Sequence, residues 1–209
     1  MKPLNFVLVG VGGQGILLAS DILCHVGVAV GYDVKKTDVH GMAQRGGSVI
    51  SHVRMADRVA APVVPLGAAD FLLAFEKLEA CRWVSYLGAA GVAVVNDEAI
   101  PTLALAAPRS GIPYPDDASL LQLLRSRARQ LAMMPAGRLA LELGNSRVTN
   151  LVLLGALSHF LDIPIPVWQA VIDERVPARF RELNQRAFEA GRSAGIVSLR
   201  GQGHSGTMN

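Results

Sequence analysis

Two short segments of this chain carry residue types that could do chemistry. The first, His40-Gly41-Met42-Ala43-Gln44-Arg45-Gly46-Gly47-Ser48-Val49, sets an imidazole, an amide, a guanidinium and a hydroxyl among glycines. It is too polar and too permissive in its backbone for a core segment, yet strand-like runs flank it. Glycines let main-chain N–H groups approach a ligand or another chain closely. Arginine presents a planar fork suited to phosphate or carboxylate. His40 could act as a general acid or base, because its ordinary pKa lies near neutrality; a hydrogen-bonded structural histidine is the alternative. Arg45 could bind an anion together with the amides of Gly46 and Gly47, or pair with a carboxylate on a partner.

The second segment, Gly10-Val11-Gly12-Gly13-Gln14-Gly15, follows a strand-like run and precedes a helix-like one. Gly10, Gly12 and Gly15 match the G-x-G-x-x-G spacing of a dinucleotide-binding turn, in which a helix N-terminus faces a pyrophosphate. Asp38 stands where a ribose-binding acid would be expected. Two features oppose that reading. Gln14 is bulky where the pyrophosphate would run, and the strand carrying Asp38 leads straight into the His40–Val49 loop. A glycine turn that serves only close strand–helix packing or an interface is the other reading. Around His40 no Ser or Cys nucleophile with an Asp orienter can be assigned, and no second His or Cys falls at metal-ligand spacing.

Elements able to position these segments can be read from hydrophobic pattern. Strands are expected at Leu4–Gly10, Val34–Val39, Ser48–Met55, Asp70–Phe75 and Gly91–Asn96, and helices at Ile16–Val28 and Glu76–Leu87. The strand at Ser48–Met55 alternates, with Val49, Ser51 and Val53 on one side and Ile50, His52 and Arg54 on the other, and suits an antiparallel hairpin. The strand–helix–strand run from Asp70 to Asn96 is a βαβ unit, which requires parallel pairing. Residues 101–117 read as a loop around one short segment, and Ser119–Leu131 as an arginine-rich helix. The last third is helical: Asn150–Leu161 is apolar almost all round and should be buried, and Pro166–Glu174 and Pro177–Gly191 each open on proline. Asn145 suits a cap before the buried helix, while Asn184 could bond back to the body of the fold. The expected architecture is α/β: a Rossmann-like three-layer domain with a mostly parallel sheet, spanning residues 1–195, with a helical extension at about 147–192 and a flexible tail at 196–209.

Composition narrows the function classes. The 209 residues are 51% hydrophobic and only 18% charged, below the usual charged fraction of about 25%, which suits a large core, a surface covered by another subunit, or both. Aromatic residues make up 5%, too few for a nucleic-acid stacking platform. The net charge is +3, and Arg125, Arg127, Arg129, Arg138 and Arg147 form either a solvated face or a contact for an anionic partner. The two cysteines, Cys24 and Cys81, are fewer than the roughly four thiolates of an iron–sulfur cluster and read as inert buried thiols. No leader or membrane-spanning run is evident, which points to a cytoplasmic setting.

Taken together, the glycine turn at 10–15, the loop at 40–49, Asn96 after the fifth strand, and Asn150-Leu-Val-Leu-Leu-Gly-Ala-Leu157 followed by Asn184, Ala187 and Phe188 resemble the gamma-type domain of 2-oxoacid:ferredoxin oxidoreductases. Within that family they look most like the small, beta-type subunits of the branch that acts on indolepyruvate and other arylpyruvates. The resemblance covers roughly residues 4–192, and the ten-residue loop is its most specific part; Thr37-Asp38 stands where Ser-Glu is expected. The resemblance implies one subunit of an enzyme that decarboxylates a 2-oxoacid oxidatively with CoA to acyl-CoA and CO2, passing two electrons to ferredoxin. It implies that thiamine diphosphate, Mg2+ and 4Fe-4S clusters reside in a large partner subunit and that this chain alone binds none of them and is inactive. It implies finally that Gly12, Gly13, Gln14 and Gly15, with Gln44, Arg45, Gly46, Gly47 and Ser48, line the active-site cleft or the CoA side, with His40 and Arg45 the candidates for a catalytic part. A free-standing nucleotide-binding oxidoreductase and a purely docking module are the competing expectations.

Overall fold

Leu4–Val11 forms strand β1, and its alternation explains the layers. Phe6 and Leu8 point into one apolar cluster, Val7 and Val9 into another. A strand buried on both faces needs helices on both sides, and the computed structural model supplies them. It describes residues 1–40, 46–100 and 113–202, the side chains of His40 and of 195–202 excepted.

The sheet has six strands among the described residues, in the order β2-β3-β1-β4-β5-β6. These are β2 (Asp33–His40), β3 (Ser48–Ala56), β4 (Ala69–Ala74), β5 (Leu87–Asn96) and β6 (Gln130–Met134) around β1. β1, β4, β5 and β6 pair in parallel, whereas β3 runs antiparallel to both β1 and β2. The α/β architecture and the antiparallel third strand are as the hydrophobic pattern predicts. Val49, Val53 and Met55 of β3 enter the first cluster and Ile50 the second, as its alternation requires.

On the first face lie α1 (Ile16–Ala29), α4 (Ala136–Glu142), α5 (Thr149–Ser158), α6 (Ile165–Arg175) and α7 (Arg181–Gln202). On the second lie α2 (Lys77–Trp83) and α3 (Asp117–Arg127). Every residue of α5 is buried, polar Thr149, Asn150 and Ser158 included, as its largely apolar sequence predicts. The helix packs directly on α7. A Cβ added to Gly155 would fall on the carbonyl of Phe188, and one added to Gly191 on the carbonyl of Val152. The two backbones thus touch through a pair of glycines, with Ala156 and Ala187 fully buried beside them.

Several boundaries differ from the pattern. The arginine-rich helix ends at Arg127, and Gln130–Met134 is a sixth strand beside β5. α2 stops at Trp83 and passes through a 3-10 turn at Val84–Tyr86, so β5 begins at Leu87. The short helix α4 has no counterpart in the pattern reading. α7 continues to Gln202, beyond the point expected for a tail; residues 203–209 lie outside the described residues, as does the loop segment at 101–112.

Candidate functional site

In an open α/β sheet the ligand crevice lies beyond the carboxyl ends of the parallel strands, where the connections diverge to either side. Here that point is between β1, whose chain turns back through α1 to β2, and β4. The glycine turn occupies it. Gly15 adopts φ 82° and serves as the N-cap of α1 without a side-chain cap. That left-handed conformation and the Asn150 amide, 2.9 Å from where a Cβ would stand, both demand glycine.

Gln14 is held by the main chain on both sides. Its Oε1 accepts from the Val11 N–H at 2.7 Å, and its Nε2 donates to the Phe75 carbonyl at 2.9 Å. The side chain is therefore folded under its own turn and ties the end of β1 to the end of β4. Asn96, fully buried at the end of β5, donates to the same Phe75 carbonyl at 3.1 Å and to Glu98 at 2.7 Å, and accepts from the Gly137 N–H at 3.2 Å. The tips of β1, β4 and β5 and the start of α4 are thereby joined by side-chain amides. Such buried polar groups cost free energy unless paired, and these are paired.

The two sequence segments meet. The Gly12 N–H donates to the Gly47 carbonyl at 2.8 Å, and the Gly46 N–H donates to the Gly12 carbonyl at 3.2 Å. The loop at 40–49 is thus the β2–β3 hairpin connection, held by its glycines against the turn at 10–15. His40 ends β2, paired with Val49. Gly41, Met42, Ala43, Gln44 and Arg45 lie outside the described residues, so the expectations for Gln44 and Arg45 rest on sequence.

Asp38 does not occupy a ribose-binding position. β3 lies between β2 and β1, which sets β2 about 10 Å from β1 at ordinary strand spacing. Asp38 is also engaged: it accepts from Ser51 Oγ at 2.6 Å and pairs with Lys36 at 3.1 Å. Lys36 reaches Asp21 at 2.5 Å as well; burial lowers its pKa, but the two carboxylates outweigh that and raise it.

Ser48 shows a group that pattern reading misses. Its hydroxyl donates to Glu79 Oε2 on α2. Glu79 is fully buried and also accepts from Trp83 Nε1 at 3.2 Å and Arg82 Nη1 at 2.7 Å. Its backbone N–H is capped by Glu76 at 2.8 Å, and Glu76 in turn accepts from the Tyr114 hydroxyl and the Ile100 N–H. Burial and the Glu76 carboxylate raise the Tyr114 pKa well above its ordinary value. Beside this group His52 packs edge-on against Tyr86, its pKa lowered by burial. The sequence signal for Glu79 is slight: acids three apart at the start of a helix whose other residues are largely apolar.

Asn145 caps the turn before α5, accepting from the Arg147 N–H at 3.0 Å, as its position predicts. Asn184 donates to the Phe180 carbonyl of its own helix entrance at 2.8 Å. The cysteines sit on opposite faces of the sheet, Cys24 on α1 and Cys81 on α2, and both are free. Burial pushes the Cys24 thiol up to about 12 and the Cys81 thiol up to about 11. Two separated, protonated thiols do not fit an iron–sulfur cluster. Among the described residues no three His, Cys, Asp or Glu side chains gather as a metal site, and no helix is long and apolar enough to cross a membrane.

Comparison with known proteins agrees with this geometry. The chain is 39% identical over 193 residues to indolepyruvate oxidoreductase subunit IorB of Thermococcus kodakarensis, covering 91% of this chain and 95% of that one. It is 38% identical to the subunit of the same name from Pyrococcus horikoshii over the same shares. In fold it matches the gamma subunit of a keto/oxoacid ferredoxin oxidoreductase from Geobacter sulfurreducens, with TM-score 0.69, 23% identity and 93% and 99% of the two chains covered. It also matches 2-oxoglutarate:ferredoxin oxidoreductase from Magnetococcus marinus, with TM-score 0.72, 18% identity, 94% of this chain and 32% of that one covered; that structure has 2-oxoglutarate, coenzyme A and succinyl-CoA bound. At these identities the structural likeness is one of fold. A family model described as pyruvate ferredoxin/flavodoxin oxidoreductase matches residues 5–194, and with relatives above 30% identity over nearly the whole length, the chain belongs to that family.

Proposed function

We propose that this chain is the small subunit of an indolepyruvate:ferredoxin oxidoreductase. The observation that carries the reading is its near full-length likeness to two chains named as indolepyruvate oxidoreductase subunits. The reaction converts a 2-oxoacid, CoA and two oxidised ferredoxins to an acyl-CoA, CO2, two reduced ferredoxins and a proton, the last released from the CoA thiol. Thiamine diphosphate, bound with Mg2+ by a large partner subunit, supplies the stabilisation of the electron pair left by decarboxylation; 4Fe-4S clusters in that partner carry the electrons. The sequence at the β2–β3 connection offers Arg45, with the amides of Gly46 and Gly47, as the group this chain would contribute toward CoA phosphates. Two free thiols suit a reducing, cytoplasmic setting.

The rival reading, a free-standing dinucleotide-binding oxidoreductase, is opposed by a Gln14 side chain bonded to the Val11 N–H and the Phe75 carbonyl and by an Asp38 two strands from β1. The test is co-expression with the large subunit and assay of ferredoxin reduction driven by indolepyruvate and CoA. The complex should turn over and this chain alone should not. Turnover of a 2-oxoacid by the isolated chain would overturn the assignment.

A further inference from the structure

We propose that the open edge of β2 is a docking surface for β2 of a second copy of this chain, the two strands pairing antiparallel about a two-fold axis at Thr37. β2 stands at one end of the sheet and pairs with β3, and its outer edge meets no main-chain partner among the described residues. Open edges are ordinarily blunted by proline, a bulge, shortness or an uncompensated lysine. β2 runs eight residues without proline or glycine and keeps a continuous register with β3. Val34, Thr37 and Val39 are β-branched strand formers. Its two lysines are offset within the same chain: Lys35 pairs with Asp33 at 3.3 Å, and Lys36 with Asp21 at 2.5 Å and Asp38 at 3.1 Å. Such an edge suits another strand rather than repelling one.

The charges select both the partner and the register. In a sheet continued across a two-fold axis, opposed residues point to the same face, so even positions meet even and odd meet odd. Registers that pair five or more residues are centred on Lys35, Lys36, Thr37 or Asp38. The first two set a lysine against its own copy, and the last sets Asp38 against Asp38. Centring on Thr37 instead places Lys36 opposite the second copy's Asp38, twice, with Lys35 opposite Val39 and Thr37 opposite Thr37. Opposite charges facing each other across a strand pair stabilise it, and like charges destabilise it. A separate observation lies on α1. Asp21, Cys24 and Val28 line a cleft with Val34 and Lys36 of β2, so this flank of α1 overhangs the edge. Leu17 and Val28, on the same helical stripe, are 44% and 58% exposed. A second copy brings its own α1 antiparallel onto that face and covers apolar surface that a lone chain leaves in water. On the other face Val39, 54% exposed, receives the methylene stem of the second copy's Lys35.

The test uses the full chain, alone and co-expressed with a large subunit. Directly opposed Cα atoms of an antiparallel pair lie about 4.5–5.5 Å apart, within the span that a disulfide bridges. Under mild oxidation Thr37→Cys should form a linked dimer at least about 10-fold faster than Lys35→Cys or Val39→Cys alone, because opposed thiols react at an effective concentration far above the bulk one. Chains carrying Lys35→Cys, mixed with chains carrying Val39→Cys, should link to each other as Thr37→Cys links to itself. Light scattering should find two chains for the wild type and one for Thr37→Lys, which sets two ammonium groups across the axis. Should Thr37→Lys not fold, the cysteine pairs decide the matter. Equal linkage rates for the three cysteine variants, a wild-type monomer, or a dimer that Thr37→Cys does not link would overturn the proposal. So would a single copy of this chain in the co-expressed complex, or Thr37→Cys linked to the large subunit, which would assign the edge to that partner instead.

Discussion

Replacing Gln14 separates a structural glycine turn from a ligand-binding one. Gln14→Leu keeps the approximate volume but removes both main-chain bonds, to the Val11 N–H at 2.7 Å and the Phe75 carbonyl at 2.9 Å. Each such bond contributes about 1 kcal/mol. Val11 is 3% exposed, so its orphaned N–H adds a desolvation penalty of about 1–3 kcal/mol. The Phe75 carbonyl keeps Asn96 and adds little. The expected loss is about 2–4 kcal/mol, or a Tm roughly 5–15 °C lower for a chain of this length, read by calorimetry on the purified chain. Gln14→Glu adds a sign. One carboxylate oxygen can replace Oε1, but the other meets the Phe75 carbonyl and must carry a proton to bond it. Its pKa in the folded chain is then raised above the unfolded value of about 4.3. The stabilising contribution is complete below that value and is lost as pH rises through the folded pKa. The Tm deficit against wild type should therefore be larger at pH 7 than at pH 5. An unchanged Tm for Gln14→Leu, or a pH-independent deficit for Gln14→Glu, would refute the view that this side chain ties the turn to the end of β4.

Further outcomes follow from the packing. Gly191→Ala drives a methyl onto the Val152 carbonyl and should destabilise the chain by about 3 kcal/mol or more, seen as loss of soluble protein or a collapsed urea midpoint; a change below about 0.5 kcal/mol would contradict the backbone contact of α5 and α7. His52 is buried, its Nδ1 has no partner among the described residues, and its pKa is lowered by burial. Stability should hold above the unfolded value of about 6.5 and fall as pH drops below it toward the folded pKa; His52→Phe should flatten the profile between pH 7 and 5 in chemical denaturation. Cys24, pushed up to about 12, and Cys81, up to about 11, should stay unreactive toward a disulfide reagent at pH 8 until the chain unfolds, whereas rapid native labelling of either would show an accessible thiolate.

The elements around the site were legible where one period dominated. β1, β4 and α5 carry apolar runs bounded by turn residues, and β3 carries a clean alternation. β6 was hidden because Gln130-Leu-Ala-Met-Met134 is made of good helix formers and follows an arginine-rich helix without proline or glycine between them. Only its pairing with β5 makes it a strand, a tertiary effect that no local window contains. The same limit applies to the site. Gly10 to Gly15 reads as a turn in either function, and what decides is where the Gln14 side chain goes, which depends on the position of Phe75, 61 residues away. The insertion of β3 between β1 and β2, which removes Asp38 from a ribose-binding place, is likewise a fact of sheet order. Glu79 and Glu76 were missed because acids near a helix start ordinarily face water; here Ser48, Trp83 and Tyr114 turn them inward.

The central claim is that this chain works only against a larger partner and holds no dinucleotide of its own. Native mass spectrometry of the protein purified from its source organism tests this most directly. The account predicts a complex containing this chain and a larger subunit, with thiamine diphosphate and iron–sulfur mass on the larger one. A homo-oligomer of this chain carrying a stoichiometric nicotinamide or flavin dinucleotide would contradict it.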